Sequence, residues 1–187
     1  IIKSPGIANT SEVLQALTDA GKEIIGEIEW AYRNADGKII GITGSNGKTT
    51  TTGLCHHFLQ AAGMDAAKVG NVGEGFCHFL AEHNAAWYVC ELSSFQLEDV
   101  ETFRPRIGIL LNITPDHLDR YEYSLDKYAD AKMRMMRNMT EEDTLIYNAM
   151  DPVTVAKVIG AESEERLWSI RETDLIGDDK VYVKDDL

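Results

Sequence analysis

The chain has 187 residues, with 18 Lys and Arg against 31 Asp and Glu, and a formal net charge of -13. This balance argues against nucleic acid or an anionic membrane as a partner, because both require clusters of basic residues. With 44% hydrophobic and 26% charged residues, the composition is that of a soluble globular protein. No apolar run approaches the roughly 18–20 residues of a membrane-spanning helix. We therefore expect a cytoplasmic protein.

The N-terminal stretch is predicted to form a strand, a helix and a second strand. Ile1-Ile2 leads into a Ser-Pro-Gly turn, and Asn9 is suited to cap a helix with Glu12 as its third residue. Gly21 would end this helix, and the β-branched run at 23–28 predicts the second strand. Because this short β-α-β unit has no partner, the chain is interpreted as a fragment of a larger protein.

A second unit begins near Lys38, where predicted strands and helices alternate. The expected strands are 38–43, 87–92, 107–113, 144–148 and 181–183, and the clearest helices are 48–62 and 125–139. The strands are mostly unbroken apolar runs, which indicates that helices bury both faces of the sheet. The pattern therefore predicts an α/β fold with a largely parallel central sheet flanked by helices.

The strongest functional signal is the string GITGSNGKTTTT at 41–52, between a predicted strand and a predicted helix. Backbone N–H groups in such a loop, and the helix N-terminus after it, bind polyphosphates. Lys48 can reach the outer phosphates, and the Thr49 hydroxyl is placed to bind Mg²⁺. The usual P-loop has a glycine five residues before Gly47, where this chain has Ile42, so the match is partial. The expected cofactor-binding residues are Gly44, Ser45, Asn46, Gly47, Lys48, Thr49, Thr50 and Thr51.

Three further clusters of polar side chains lie at the C-terminal ends of predicted strands. Open α/β sheets bind ligands at these ends, so each cluster is a candidate site. Glu91 ends a predicted strand and is a candidate Mg²⁺ ligand, because Mg²⁺ prefers oxygen ligands. His117 lies between Asp116 and Asp119 beyond the next strand, where a metal ligand and a solvated histidine are equally compatible with the pattern. Asn71, in a glycine-rich turn, could reach a phosphate or a substrate, although an ordinary loop is the better explanation of this turn taken alone.

Taken in order, five strings resemble the ATP-dependent Mur ligases of bacterial cell-wall synthesis. They are GITGSNGKTT, GNVG, ELSSFQLE, NITPDHLDRY and YADAKMR. The resemblance runs from Ser4 to at least Lys132 and thins after about Thr144. It implies that 1–26 is the end of a Rossmann-like domain that binds a uridine nucleotide. It also implies that 27–187 is an incomplete central ATP-binding domain, without the C-terminal domain that binds the amino acid, so the chain alone should not turn over.

The resemblance implies a particular reaction and particular substrates. Mur ligases use ATP to activate a carboxylate as an acyl phosphate, which an amine then attacks. The string ELSSFQLE is similar to the members that add D-glutamate to UDP-N-acetylmuramoyl-L-alanine, and these two molecules are the expected partners. The intact protein is expected to be a monomer.

The resemblance also assigns roles to individual residues. Lys48, His117 and Lys132 would be catalytic. Thr49 and Glu91 would bind one Mg²⁺ ion, and His117 would bind a second together with Lys132, whose side chain would carry a carboxyl group from CO₂. The expected substrate contacts are Ser4, Pro5, Gly6, Asn71 and Ser93.

Three other interpretations remain open at this point. A sister ligase, or a relative of folylpolyglutamate synthase, would share the phosphate loop and the metal ligands, although the string at 93–96 argues against both. A small P-loop kinase would transfer phosphate to a hydroxyl group, but no arginine-rich lid follows the sheet. A non-enzymatic module could use ATP as a switch, although it would not need two metal clusters.

Overall fold

The computed structural model describes residues 1–161 and the backbone of the strand at 166–170. The chain begins with β1 (Ile2–Lys3), α1 (Glu12–Asp19), β2 (Ile25–Gly26), α2 (Glu27–Asn34), β3 (Lys38–Thr43) and α3 (Lys48–Ala61). It continues with β4 (Ala66–Gly70), α4 (Phe76–Glu82), β5 (Trp87–Glu91), α5 (Ser94–Leu97) and β6 (Ile107–Leu110). The remaining elements are α6 (Leu125–Met133), β7 (Thr144–Asn148), α7 (Pro152–Gly160) and β8 (Arg166–Ile170). In this described part, no helix is long and apolar enough to cross a bilayer.

The main sheet has six parallel strands in the order β4-β5-β3-β6-β7-β8, and β1 pairs with β2 in a separate parallel pair. The predicted α/β class and parallel sheet are thereby confirmed. The connection from β3 runs towards β4, at one edge, whereas the connections from β6 and β7 run towards the other edge. The loops after β3 and β6 consequently diverge and leave a crevice at the C-terminal end of the sheet.

Helices cover the two faces of the sheet unequally. Crossovers between parallel strands are right-handed, so the direction of a connection along the sheet decides which face its helix covers. Among the described connections, only the one through α3 runs towards β4. Helix α3 therefore covers one face, and the other crossover helices cover the opposite face. On the α3 face, Cys55 and Leu59 pack against Ile40, Ile42 and Val89. The larger core lies on the opposite face and includes Ile28, Phe76, Leu97, Tyr128, Met135, Leu145 and Val158.

Several local predictions differ from the structure. Residues Glu27–Asn34 form a helix, although part of this stretch was expected to extend the strand at 23–28. This short helix forms because Ile28 and Ala31, three residues apart, are both buried in the core. The predicted helix at 125–139 ends at Met133 and continues as a 3-10 turn. The strand expected at 181–183 lies outside the described residues.

The N-terminal cap of α1 is also different from the prediction. Ser11 caps this helix, with its hydroxyl oxygen accepting from the N–H of Leu14 at 3.3 Å. Asn9 instead accepts from the buried ammonium of Lys3 at 2.6 Å and donates to Asp99 at 3.3 Å. Lys3 also pairs with Asp99 at 2.8 Å. Asn9 therefore joins the N-terminal segment to the main domain, which no local pattern could show.

Glu29 of α2 anchors the segment that leads into β6. Its buried carboxylate accepts from the N–H groups of Glu101, Thr102 and Phe103 at 2.9–3.1 Å, from the Thr102 hydroxyl at 2.5 Å and from Arg33 at 2.8 Å. Burial by itself would raise the pKa of this carboxyl group. The hydrogen bonds from Thr102, Glu101 and Arg33 outweigh burial, so the pKa of Glu29 is lowered.

We expect Glu29→Gln to lower the free energy of unfolding by about 1.5–3 kcal/mol, because several donors lose an ionised acceptor. Because the folded-state pKa is lowered, this stabilisation is complete above the unfolded-state pKa, near 4.3, and is lost as the pH falls through the folded-state value. Chemical denaturation at several pH values should therefore show a gap between wild type and variant that is largest above about pH 5 and shrinks in acid. Glu23→Gln, which alters an exposed partner of the same Arg33, is the control and should change little. A gap that does not depend on pH would contradict this account.

Candidate functional site

The phosphate loop is short and spans residues 44–47 between β3 and α3. Gly44 and Gly47 have positive φ angles of 154° and 85°, and Gly47 caps α3 without any side-chain hydrogen bond. The first N–H groups of α3 therefore remain available to an anion. Ile42, where the usual pattern has glycine, is a fully buried residue of β3. Gly41 is also in β3, and a Cβ there would lie 3.2 Å from Leu92, so this glycine serves packing and not the loop.

The segment after β6 holds the phosphate loop in place. Ser45 N–H donates to the Asn112 carbonyl at 2.9 Å, while the Asn46 backbone exchanges two hydrogen bonds with the Asn112 side chain at 2.9 and 3.1 Å. The Ser45 hydroxyl donates to the Thr114 carbonyl at 2.8 Å and accepts from the Thr114 N–H at 2.9 Å. The N–H groups of Ser45 and Asn46 are thus occupied, which leaves those at 47–50 for a phosphate.

Sequence reasoning assigned no role to Asn112 and Thr114. Both belong to the string NITPDHLDRY, in which only His117 and its neighbouring aspartates were considered as ligands. The signal that could have found them is their position just after an apolar strand. That signal becomes informative only when the strand is known to lie beside β3.

Two lysines converge on one carbonyl oxygen of the loop. The ammonium of Lys48 donates to the carbonyls of Gly44 and Ser45, both at 2.9 Å. Lys132, from α6, donates to the same Gly44 oxygen at 2.8 Å and is 2% exposed. Burial, and secondly the charge of Lys48, lower the pKa of Lys132 to about 7, against a smaller opposing effect of Asp116. A lysine on a helix usually points into solvent, but here the amine is buried and partly neutral at pH 7.

Glu91 and Asn71 lie together at the ends of β5 and β4. The Asn71 amide donates to Oε1 of Glu91 at 2.9 Å. Oε2 of Glu91 is buried and has no hydrogen-bond partner among the described residues. The chain can turn here because Gly70, with φ 101°, passes so close to Glu91 that a Cβ would lie 2.4 Å from the Glu91 carbonyl oxygen. An unpartnered buried carboxylate oxygen suits a hard cation, so Glu91 fits the expected Mg²⁺ ligand.

Two other expected metal ligands, Thr49 and His117, are less enclosed than Glu91 and Lys132. Thr49 is exposed in the first turn of α3. His117 adopts a left-handed conformation with φ 48°, and its ring is 59% exposed and 3.6 Å from the Asp116 carboxylate. Asp119 is exposed. Among the described residues, no group of three or more His, Cys, Asp or Glu side chains could hold a metal ion. Mg²⁺ commonly takes one or two carboxylates together with phosphate oxygens and water, and the single carboxylate of Glu91 fits that pattern.

The expected substrate residues lie in two places. Ser93 forms a reciprocal cap on α5, accepting from the Gln96 N–H at 3.2 Å while its own N–H donates to the Gln96 side chain at 3.0 Å. Residues 4–6 form a turn at the surface, where the Pro5 carbonyl accepts from Arg120 at 3.2 Å. Their roles in substrate binding remain predictions.

A cavity of about 260 Å³ opens beside the phosphate loop. Its walls come from the loop, the first turn of α3 and the ends of β6 and β7, and they include Gly47, Thr51, Ile109, Leu111, Ile146 and Tyr147. The aliphatic and aromatic walls contrast with the polar loop at the rim. Apolar walls next to a few polar groups are typical of small-molecule sites.

The parallel sheet and the strand-loop-helix phosphate site define an α/β nucleotide-binding protein of the P-loop type. A family model described as the Mur ligase middle domain matches residues 42–185. The chain belongs to the Mur ligase family.

Individual relatives agree with this assignment. The UDP-N-acetylmuramoylalanine--D-glutamate ligase of Christiangramia forsetii is 47% identical over 151 residues, which are 81% of this chain and 34% of that protein. The ligase of the same name from Geobacillus kaustophilus is 41% identical over 186 residues, 99% of this chain and 40% of that protein. The chain therefore spans between a third and two fifths of the length of these relatives.

Solved structures share the fold at low sequence identity. The UDP-N-acetylmuramate:L-alanyl-gamma-D-glutamyl-meso-diaminopimelate ligase from Neisseria meningitides has a TM-score of 0.64 and 17% identity, covering 90% of this chain and 60% of that one. A UDP-N-acetylmuramoyl-L-alanyl-D-glutamate--2,6-diaminopimelate ligase has a TM-score of 0.58 and 20% identity, covering 90% of this chain and 45% of that one. At these identities the likeness establishes the fold.

We expect Lys132→Met to raise the free energy of unfolding at pH 7 by about 1–3 kcal/mol, because it removes a buried amine that lies beside the charge of Lys48. The Gly44 carbonyl keeps Lys48 as a donor, so no acceptor is orphaned. Lys127→Met, an exposed change on the same helix, should alter stability by at most about 1 kcal/mol. Chemical denaturation of both variants checks the prediction. A less stable Lys132→Met protein would show that the hydrogen bond to Gly44 outweighs the desolvation of the amine.

Proposed function

We propose that the protein containing this chain is an ATP-dependent ligase that adds D-glutamate to UDP-N-acetylmuramoyl-L-alanine. The observation that carries this proposal is the buried, unpartnered oxygen of Glu91, on the strand next to a preformed phosphate loop. The free carboxylate oxygen suits a metal ion and the loop suits phosphates, so together they suit a metal-bound triphosphate. The names of the relatives support the choice of D-glutamate, and because the chain spans only part of their length, the activity belongs to the longer protein.

The proposed reaction has two steps. The L-alanyl carboxylate attacks the γ-phosphorus of ATP, the bond from phosphorus to the β,γ-bridging oxygen breaks, and ADP leaves behind an acyl phosphate. The amine of D-glutamate then attacks the acyl carbon, phosphate leaves with its bonding electrons and the nitrogen loses a proton. Activation is needed because hydroxide is a poor leaving group. The first step brings two anions together, so cations must stabilise the approach.

The loop and its neighbours supply the charge for the first step. The N–H groups at 47–50 would bind the phosphates, and Lys48 would exchange the carbonyls of Gly44 and Ser45 for phosphate oxygens. Thr49 and Glu91 would hold a Mg²⁺ ion at the phosphate loop. When bound, Mg²⁺ would neutralise charge on phosphate oxygens. The paired contacts with Asn112 keep the loop in its binding conformation.

Lys132 and His117 would act on the acyl side of the site. We propose that the neutral amine of Lys132 attacks CO₂, forming an N–C bond and losing a proton to give a carbamate. This reaction converts a donor-only cation into an oxygen ligand, which with His117 would hold a second Mg²⁺. The buried amine beside the loop supports the proposal, because an ammonium ion at this place would repel a metal.

The first test is phosphate release from ATP by the full-length protein, with UDP-N-acetylmuramoyl-L-alanine present and single amino acids added. We expect release only with D-glutamate, and Glu91→Gln should lower the rate by about 100-fold or more because the charged metal ligand is lost. Glu74→Gln, at an exposed carboxylate, is the matched control and should leave the rate unchanged.

Each other result points to a different protein. Release with another amino acid would identify a sister ligase. Transfer of phosphate to a hydroxyl group would identify a kinase, and ATP binding without any release would leave a nucleotide-binding module.

The carbamate is tested separately by ¹³C NMR after incubation of the protein with ¹³C-bicarbonate. A carbamate resonance is expected in the wild type and should be absent from Lys132→Met, because only this lysine combines burial with a lowered pKa among the described residues. Lys127→Met is the control and should retain the resonance. A wild-type spectrum without it, at saturating bicarbonate, would contradict the carbamate while leaving the ligase proposal intact.

A further inference from the structure

Arg120 joins three separate segments of the chain with one guanidinium group. It lies in the 3-10 turn Leu118–Tyr121 and is largely buried. Nη1 donates to the carbonyl of Pro5 at 3.2 Å, and Nη2 pairs with Oε2 of Glu98 at 2.9 Å. The guanidinium carbon also lies 4.3 Å from the ring centroid of Phe95 in α5. The N-terminal segment therefore meets the main domain at this arginine.

The same group of residues supports His117. The ring centroids of Phe95 and His117 are 5.3 Å apart, and Phe95 also stacks on Tyr121 at 6.2 Å with an interplanar angle of 14°. The Tyr121 hydroxyl donates to the second oxygen of Glu98 at 2.6 Å. His117 has a positive φ, which a residue with a side chain adopts only when its surroundings hold it there. Phe95, which lies beside Arg120, is the aromatic side chain that the His117 ring contacts.

We propose that Arg120 is a positioning residue that couples the seating of residues 4–6 to the orientation of His117, through the ring of Phe95. The inference rests on the proposed function, in which His117 holds a metal, and on the prediction that residues 4–6 contact the substrate. When the Pro5 carbonyl is in place, the guanidinium stays above Phe95, and Phe95 supports the imidazole. When residues 4–6 move away, Arg120 loses its hydrogen bond to the Pro5 carbonyl, and its position above Phe95 is less well fixed.

An arginine is required for this arrangement. Its planar fork donates to a carbonyl and a carboxylate while its face covers an aromatic ring, whereas a lysine has one point of charge. The phosphate loop is held by different residues, Asn112 and Thr114. The effect of Arg120 should therefore be confined to the acyl substrate and the metal, and should leave the affinity for ATP unchanged.

Steady-state kinetics of the full-length protein test the coupling. In Arg120→Met we expect two quantities to rise about tenfold: the KM for UDP-N-acetylmuramoyl-L-alanine and the Mg²⁺ concentration that gives half-maximal rate. A tenfold change corresponds to the loss of about one charge-assisted hydrogen bond. The KM for ATP should stay within about twofold. Arg120→Lys should recover part of the loss, because it restores the charge facing Glu98 but not the fork. An equal rise in the KM for ATP would overturn the proposal.

Two further variants define the specificity of the effect. Asn112→Ala should show the opposite pattern, with a raised KM for ATP, because it releases the phosphate loop. Arg137→Met is the matched control, because Arg137 is exposed and its side chain has no hydrogen bond or ion pair with the described residues. It should match the wild type in all three parameters.

The position of His117 is measured directly by ¹H–¹³C NMR of the histidine rings without substrates. We expect Arg120→Met and Phe95→Leu each to shift the His117 ring resonance, and the double variant to shift it no further than the larger single effect. Additive shifts, or an unchanged resonance in a folded Arg120→Met protein, would overturn the proposal. This measurement needs no turnover, so an inactive wild type would refute the ligase function without deciding the role of Arg120.

Discussion

The parallel pairing of β3 with β5 and β6 is the constraint on which the site depends. In register, Ile42 lies opposite Glu91 on one side, and Thr43 lies opposite Leu110 on the other. Parallel strands end at the same edge of a sheet, so the phosphate loop emerges between a buried carboxylate and the segment that begins at Asn112. Changing the strand order would separate every one of these groups without altering any local motif.

Three groups at this edge of the sheet lie in unfavourable environments. Glu91 has an oxygen without a hydrogen-bond partner among the described residues, Lys132 is a buried amine beside another lysine, and His117 has a positive φ angle. Far from the site, Glu29 is a buried carboxylate with all its oxygens paired. A buried charge thus stabilises the fold where all its hydrogen-bond partners are present, as at Glu29. At the edge with Glu91, a ligand would supply the partner that the protein lacks.

The site has two halves that are supported by different residues. The phosphate half is fixed by Asn112 and Thr114, which hold the loop from the β6 side. In the proposed function, the acyl half contains His117, whose ring contacts Phe95, and Phe95 lies beside Arg120, which reaches back to the N-terminal segment. The Gly44 carbonyl is a meeting point, because Lys48 and Lys132 both donate to it. If the proposed function is correct, such a division would allow two substrates to be held by separate supports.

The sequence by itself determined the elements with strong local patterns: strands β3, β5, β6 and β7, the glycine-punctuated phosphate loop and helix α3. Ordered motifs also determined the family. Tertiary structure decided what depends on contacts between distant residues, such as Lys132 meeting Gly44, 88 positions away, and Arg120 meeting Pro5, 115 positions away. Helix α2 and the role of Asn9 belong to the same class. Local patterns report which face of an element is buried, but only the packed sheet fixes which elements are neighbours.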